Sequence, residues 1–372
     1  MLTTNSTLMD GINRHILTIA SHVNRLEGYE VAVCTVCPRA ELATALDEEG
    51  VKTYSLNVAH GHAMQIPKRF YRVMKDFKPD IVHVHVLAIL ERVVLATLFR
   101  KVKYVCTIHG ISDKVSHVTF KMRLEKILNS LFHVPFAARC VVSNGVKQHL
   151  FSKDIGTKVF TIYNPIDFNR SKLSGHKLHQ LIGVSATTPI IGTACRFAAV
   201  KNPSTFTEVM CKVLQQNKNA HAVVLGDGDE ALKCQLRDIV LNHNVSERFH
   251  WLGYRQDAPE LVGDLNCFVM TSISEGMPTS ILEAMVGKVP FAMMEGNGGL
   301  KDIAELNKTE GTIGVIASAG DIDSLTNGIN KLIQNEDYAK SVANKAYEVG
   351  KKYFDVNSVS MQLQKVYSSI IS

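Results

Sequence analysis

Residues 266–290 read Asn-Cys-Phe-Val-Met-Thr-Ser-Ile-Ser-Glu-Gly-Met-Pro-Thr-Ser-Ile-Leu-Glu-Ala-Met-Val-Gly-Lys-Val-Pro. Cys267 to Met270 is a short apolar run that reads as a buried strand, and Ser272 to Met277 reads as a loop. A helix is expected to open near Pro278, whose missing N–H costs nothing in a first helical turn. Thr279 and Ser280 add hydroxyls to that turn, Glu275 lies in the loop, and Glu283 follows about one and a half turns into the helix. Both carboxylates therefore stand beside a helix N-terminus, where free N–H groups and the helix dipole attract an anion. A phosphorylated sugar nucleotide suits that arrangement. Its phosphates meet N–H groups while a carboxylate accepts hydrogen bonds from vicinal hydroxyls.

Around this stretch the chain is long for one core, and two domains are the expectation at 372 residues. A hydrophobic content of 46% and a charged content of 20% fit an ordinary soluble globular protein. No apolar run reaches the roughly 18 residues of a spanning helix, and Ile12 to Val23 is too polar for a signal peptide, which points to the cytoplasm. The eight cysteines lack small-domain spacing and argue for free thiols. Cys34-x2-Cys37 invites a zinc or redox reading, but Cys34 falls within the apolar strand Val31–Val36 and no second ligand pair follows, so buried structural cysteine is the better reading. Charge is uneven. Residues 1–165 hold 21 Lys and Arg against 13 Asp and Glu, whereas residues 166–372 hold 20 against 22. A basic first half suggests an anionic partner such as a membrane surface, a lipid diphosphate or nucleic acid.

Strand and helix signals alternate from the start. Leu2–Thr4 ends a first strand, Asn5–Asp10 forms a loop, and Gly11 leads a helix Ile12–Asn24, on which Arg14 and His15 are either candidates for acceptor contact or part of a solvated face. Strands are expected at 29–36, 52–56, 81–86, 103–108, 139–143 and 159–162, with helices at 40–49, 67–77, 88–100 and 144–150 between them. Alternation of this kind implies a parallel sheet covered on both faces. His83 and His85 share one face of their strand, where core histidines are commoner than a metal pair. His109-Gly110 ends a strand, the place where ligands of open parallel sheets gather. Phe120–Phe136 interleaves Lys121, Arg123 and Lys126 with apolar residues at helical spacing, which fits either a core-facing helix with a solvated edge or a helix lying on an anionic membrane. The polar stretch Asn169–Thr188 is the expected linker. A strand from Pro189 then reaches Arg196, Lys201-Asn202-Pro203 precedes a helix at 204–215, and Ala222–Leu225 ends in Gly226-Asp227-Gly228. Without a third glycine a nicotinamide fingerprint is poorly supported, but close backbone approach suits the mouth of a nucleotide cleft. Helices at 340–351 and 356–370 close the chain, and there are no repeats or low-complexity tracts.

The frame Ser-Glu-Gly-x-Pro…Leu-Glu-Ala, with Glu275 and Glu283 in it, resembles the retaining GT-B glycosyltransferases of family four. The likeness runs over essentially the whole chain and is strongest over 189–305. It implies an α/β protein of two Rossmann-like domains facing a cleft. An acceptor-side domain would span 1–165, a nucleotide-sugar domain 166–350, and a final helix at 351–372 would cross back to the first. The resemblance assigns Glu275, Arg196, Lys201 and His109 to catalysis. Arg196 and Lys201 would clamp the departing diphosphate in place of a magnesium ion, and His109 would face the donor sugar. Glu283 would hold ribose hydroxyls, with Gly11, Gly276, Met277, Pro278, Thr279, Ser280, Gly226 and Tyr254 around the donor; Arg255 is an equal neighbour for the base. Gly298-Gly299 matches a family turn. Where the family often carries Gly-Gly, this chain has Asp10-Gly11, and relatives carry more apolar residues before Leu2, so the start is expected to be clipped. No metal or other cofactor is implied. The donor would be a nucleotide-diphosphate sugar, UDP-linked, and the acceptor a glycan or lipid-linked hydroxyl in lipopolysaccharide, O-antigen or capsule assembly. Peripheral contact with an anionic membrane through the basic first domain is part of that expectation; nucleic-acid binding is not. The rival readings are a non-hydrolysing UDP-sugar epimerase of similar architecture and a basic RNA- or membrane-binding protein.

Overall fold

The computed structural model describes residues 1–3, 7, 11–58, 63–85, 102–110, 136–150, 158–169 and 175–371. Apart from residue 7, the expected loop at 5–10 lies outside the described residues, as do the helix at 88–100 and all but residue 136 of the basic stretch 120–136. The chain divides into two compact units, Met1–Pro165 with Val356–Ser372, and Ile166–Asp355.

Seven parallel strands carry the first unit: β1 (Leu2–Thr3), β2 (Ala32–Thr35), β3 (Lys52–Ser55), β4 (Ile81–Val84), β5 (Lys103–Ile108), β6 (Phe136–Val141) and β7 (Val159–Thr161). They lie in the order β3-β2-β1-β4-β5-β6-β7, so the winding reverses between β1 and β4. Helices α1 (Gly11–Asn24), α2 (Glu41–Glu48), α3 (Ile66–Phe77) and α4 (Asn144–Leu150) alternate with the strands. On one face Ile16, Ile19, Leu42 and Leu46 meet Val33, Val105 and Cys140, and the terminal helix Val356–Ile371 adds Val359, Leu363, Val366, Tyr367 and Ile370. On the other face Phe70 and Met74 of α3 pack with Leu2, Cys34, Val82 and Val84. All eight cysteines are unpaired, and burial pushes the Cys34 thiol up to about 12. β6 differs from its expected span of 139–143. It starts at Phe136, which pairs with Tyr104, and stops before Ser143, whose Oγ accepts the Val146 N–H at 3.1 Å and so begins α4 instead.

In the second unit the elements run α5 (Lys177–Ile182), β8 (Ile190–Ala194), α6 (Pro203–Gln216), β9 (His221–Leu225), α7 (Glu230–Asn242), β10 (Phe249–Trp251), α8 (Ala258–Val262), β11 (Cys267–Met270), β12 (Ser274–Glu275), α9 (Thr279–Val286), β13 (Phe291–Met294), β14 (Asn297–Gly298), α10 (Gly299–Thr309), β15 (Val315–Ala317), α11 (Ile322–Gln334) and α12 (Glu336–Phe354). Six strands form a parallel sheet ordered β10-β9-β8-β11-β13-β15, while β12 and β14 pair separately. β11 and β13 are buried at every position, as strands covered on both faces must be. The stretch 169–188 is not simply a linker, because it contains α5. The Asp264 carboxylate, far along the chain, accepts the N–H groups of His176 (3.2 Å) and Leu178 (2.8 Å), capping the helix from outside, and Leu178 is fully buried.

Candidate active site

In the second unit the strand order reverses between β8 and β11, and a crevice at such a reversal opens at the carboxyl ends of the strands. Two loops leave the sheet there, 195–202 after β8 and 271–278 after β11. They are laced together by backbone and hydroxyl bonds. The Ile273 N–H donates to the Val200 carbonyl (2.8 Å), and the Thr271 hydroxyl donates to the Asn202 carbonyl (3.0 Å). This brings Lys201 onto Glu275, with Nζ at 2.6 Å and 2.7 Å from the two carboxylate oxygens. The pair is mostly screened from water, the side chains being 23% and 10% exposed. Arg196, two residues past the end of β8, is exposed and makes no ion pair among the described residues. Cys195 lies beside the pair. Burial pushes its thiol up to about 11 against the pull of the Lys201 ammonium, which leaves it protonated at neutral pH and a poor nucleophile.

Glycines fix the backbone of this edge. A side chain at Gly226 would meet the Cys195 carbonyl oxygen at 1.7 Å, and one at Gly228 would meet Phe197 Cβ at 2.5 Å. The 195–197 loop therefore lies directly on the turn after β9, bonded by the Phe197 N–H to the Asp227 carbonyl (2.9 Å). The missing side chain at Gly226 is accounted for by this packing. On the other side, Ser274 and Glu275 pair with Asn297 and Gly298. A Cβ at Gly299 would stand 2.7 Å from the Gly276 carbonyl oxygen and 2.8 Å from Met277 Cα. Gly298-Gly299 thus props the loop that holds Glu275.

α9 opens at Thr279 with Pro278 as its cap residue, and no side chain caps it. Met277 and Pro278 are buried; Gly276, Thr279, Ser280 and Glu283 are half-buried, with Glu283 one turn into the helix. Tyr254 is exposed beyond β10, whereas Arg255 is bonded through Nε (2.8 Å) and Nη2 (2.9 Å) to the two oxygens of Asp257. The structure thus sets Arg196, Lys201, Gly226, Tyr254 and Glu275 on loops at one edge of one sheet. Sequence reasoning missed Thr271 and Asn202, whose bond closes the two loops; nothing local to either residue signals it.

His109 and Gly11 belong to the first unit. Gly11 is exposed at the start of α1, with open space where a side chain would be. His109 follows β5 and stands 3.0 Å from His85 Nδ1 through its Nε2. His15 of α1 completes the group, its ring centroid 4.9 Å from that of His109 and 5.5 Å from that of His85. His15 is buried rather than on a solvated face. Burial lowers the His15 pKa to about 4 and holds those of His85 and His109 well below the ordinary value, so all three are neutral at pH 7. His83 is a core residue, as its strand position suggested: Nδ1 meets the Tyr367 hydroxyl at 2.6 Å and Nε2 meets the Thr107 hydroxyl at 2.7 Å.

Known proteins resemble this chain in sequence and fold. The family model described as glycosyl transferases group 1 matches residues 177–349, and the model for glycosyltransferase family 4 matches residues 9–170. The UDP-Gal:alpha-D-GlcNAc-diphosphoundecaprenol alpha-1,3-galactosyltransferase of Escherichia coli is 25% identical over 304 residues, 77% of this chain and 74% of that protein. The N,N'-diacetylbacillosaminyl-diphospho-undecaprenol alpha-1,3-N-acetylgalactosaminyltransferase of Campylobacter jejuni is 23% identical over 373 residues, 94% of both. Among solved structures, Anabaena HepE in complex with UDP and glucose superposes with a TM-score of 0.79 at 20% identity, covering 99% of this chain and 98% of that one. With both halves matched and the two parallel sheets wound as in GT-B proteins, the chain belongs to the group 1, family 4 glycosyltransferases.

Proposed function

We propose that this glycosyltransferase moves a sugar, with retention of configuration, from a UDP-sugar to a hydroxyl of a glycan or lipid-linked acceptor during assembly of a bacterial surface polysaccharide. The observation that carries the reading is the Lys201–Glu275 pair at the strand-order reversal of the second unit, with Arg196 exposed on the same loop as Lys201 and outside any ion pair among the described residues. HepE is a complex with UDP and glucose, and the two named relatives act on diphosphoundecaprenol-linked sugars by their names.

An ammonium has three N–H donors, and the Glu275 oxygens engage two of them. The third is left for a phosphate oxygen, and Arg196 supplies a second, delocalised cation with a fork that matches phosphate geometry. Two fixed cations neutralise the charge that builds on the leaving diphosphate, so this step needs no divalent ion there. Glu283 accepts hydrogen bonds from the ribose hydroxyls, while Glu275, held in place by Lys201, lies beside the sugar ring. Gly276, Met277, Pro278, Thr279 and Ser280 present the start of α9 to the phosphates, Gly226 and Tyr254 border the nucleoside, and Gly11 leaves room at the start of α1. The acceptor oxygen bonds to the anomeric carbon on the face from which the phosphate oxygen departs, and the acceptor proton passes to that phosphate oxygen. Neutral His109 serves as a hydrogen-bonding group for a substrate hydroxyl. Among the described residues no helix is long and apolar enough to cross a membrane. Lys68, Arg72 and Lys75, exposed on α3 with Tyr71, support peripheral contact with the anionic inner face of the cell membrane.

The test is a UDP-sugar screen with lipid-linked and soluble glycan acceptors. Acceptor-dependent UDP release with an alpha-linked product is expected, and it should fall at least a hundredfold in the Arg196→Ala/Lys201→Ala double variant. Isomerisation of the UDP-sugar without any acceptor, or full activity in the double variant, would overturn the assignment.

A further inference from the structure

The histidine group of the first unit has a composition that substrate binding does not explain. His15 comes from α1, His85 from the end of β4 and His109 from the end of β5, which are the elements flanking the reversal at β1 and β4. Each can present one ring nitrogen such that the three lie within 4.8 Å of one another. Both ring nitrogens of neighbouring His83 have hydroxyl partners. By contrast, His15 Nδ1 is buried without any hydrogen-bond partner, in a residue only 6% exposed. Buried polar nitrogens are normally satisfied, and unsatisfied ones point to a missing partner. Water could satisfy one nitrogen, but three imidazoles converging from separate elements match the donor set of a metal ion.

We propose that His15, His85 and His109 bind one late first-row divalent cation, with Zn2+ as the reference ion. Tetrahedral ligands at 2.0–2.1 Å from zinc stand about 3.4 Å apart. The 3.0 Å separation of His85 Nδ1 and His109 Nε2 and the 4.8 Å limit on the set bracket that value. An all-imidazole set favours Zn2+ over Mg2+ or Ca2+, which take oxygen donors. Three protein ligands leave a fourth position for water. Occupancy engages His109, so the metal and the substrate hydroxyl compete for it; this consequence alone rests on the transfer reading above.

The experiment uses the untagged full chain, freed of metal with a chelator and titrated with Co2+ and then Zn2+. One equivalent of Co2+ should give the visible bands of a tetrahedral site, and Zn2+ should displace it. Affinity should fall at least tenfold in His15→Gln and in His85→Gln. His250→Gln, which breaks the separate His221–His250 contact (2.9 Å), should bind as the parent does. Should either cluster variant fail to fold, the Zn K-edge spectrum of the parent chain decides, with three histidine nitrogens expected at about 2.0 Å. Absence of saturable binding, fewer than three histidine ligands, or binding lost only in His250→Gln would overturn the proposal. Zn2+ should also inhibit transfer, reversibly with chelator, while UDP binding is unchanged. A chain that binds the metal but transfers no sugar would count against the transfer reading and leave the metal site standing.

Discussion

Lys201 and Glu275 hold each other in a mostly dry setting, and removing either partner should have opposite effects on nucleotide binding. In Lys201→Ala the Glu275 carboxylate, 10% exposed, loses the cation at 2.6 Å and 2.7 Å from its oxygens. Breaking a fully buried pair costs about 3–5 kcal/mol; with Lys201 itself 23% exposed, about 2–3 kcal/mol is appropriate here. For a unit of this size that lowers the melting temperature by roughly 5–10 °C. In Glu275→Gln the lysine keeps a carbonyl acceptor and can reach water, so the loss should be about 1 kcal/mol. UDP affinity separates the two more sharply. Lys201→Ala removes a cation from the phosphate locus and should weaken UDP at least tenfold. Glu275→Gln removes the competing anion and should tighten UDP a few-fold while lowering kcat about a hundredfold or more. Calorimetric UDP titration at 25 °C, below both melting transitions, reads this directly. Weaker UDP binding in Glu275→Gln together with unchanged binding in Lys201→Ala would show that the pair is structural and the phosphate locus lies elsewhere.

Three further outcomes follow from packing and protonation. Gly299→Ala forces a methyl against the Gly276 carbonyl at 2.7 Å and should cost about 1–3 kcal/mol in urea unfolding, with a larger loss in kcat as the Glu275 loop shifts. Asp264→Ala removes the cap of α5 and should cost about 1 kcal/mol in the same assay while leaving transfer rates unchanged. His15 is neutral in the fold down to a pKa of about 4 but protonates near 6.5 when unfolded. The unfolded chain therefore binds more protons, and the contribution of His15, fully present above about pH 6.5, is lost as pH falls towards 4, up to about 3 kcal/mol. His85 and His109 act with the same sign. Urea midpoints at pH 7.5 and 5 should differ accordingly, and the difference should shrink in His15→Gln.

Much of the fold was legible because its cues are local. Lys103–Ile108, Asn144–Leu150 and Cys267–Met270 have the bounds that apolar runs and turn residues suggest. The helix after Pro278 and both glutamates were legible because proline, hydroxyl residues and a following apolar face mark a helix start within a few positions. What escaped is non-local. The helix Lys177–Ile182 is hidden in a polar stretch because its cap, Asp264, lies 86 residues beyond Leu178. Lys201 and Glu275 were both singled out in the sequence, but their bond spans 74 residues, so the pairing itself was hidden until strand order brought them together. His15 and His85 had bland readings and His109 a role at the donor sugar, and only the register of β4 beside β5, with α1 packed against them, makes a cluster of the three. Gly226 was legible as a close approach, but the backbone that approaches is the chain's own Cys195.

The terminal helix Val356–Ile371 has a consequence for biogenesis. Its residues Val359, Leu363, Val366 and Tyr367 belong to the core of a unit whose other strands and helices end at Pro165. A nascent chain emerging from the ribosome therefore holds an unfinished amino-terminal half while the contiguous Ile166–Asp355 unit is completed. Ribosome stalling or a premature stop codon just before Val356 would release a molecule whose later half is whole and whose earlier half presents a naked apolar sheet face. Such a product is a substrate for chaperones and proteases rather than a partly active enzyme.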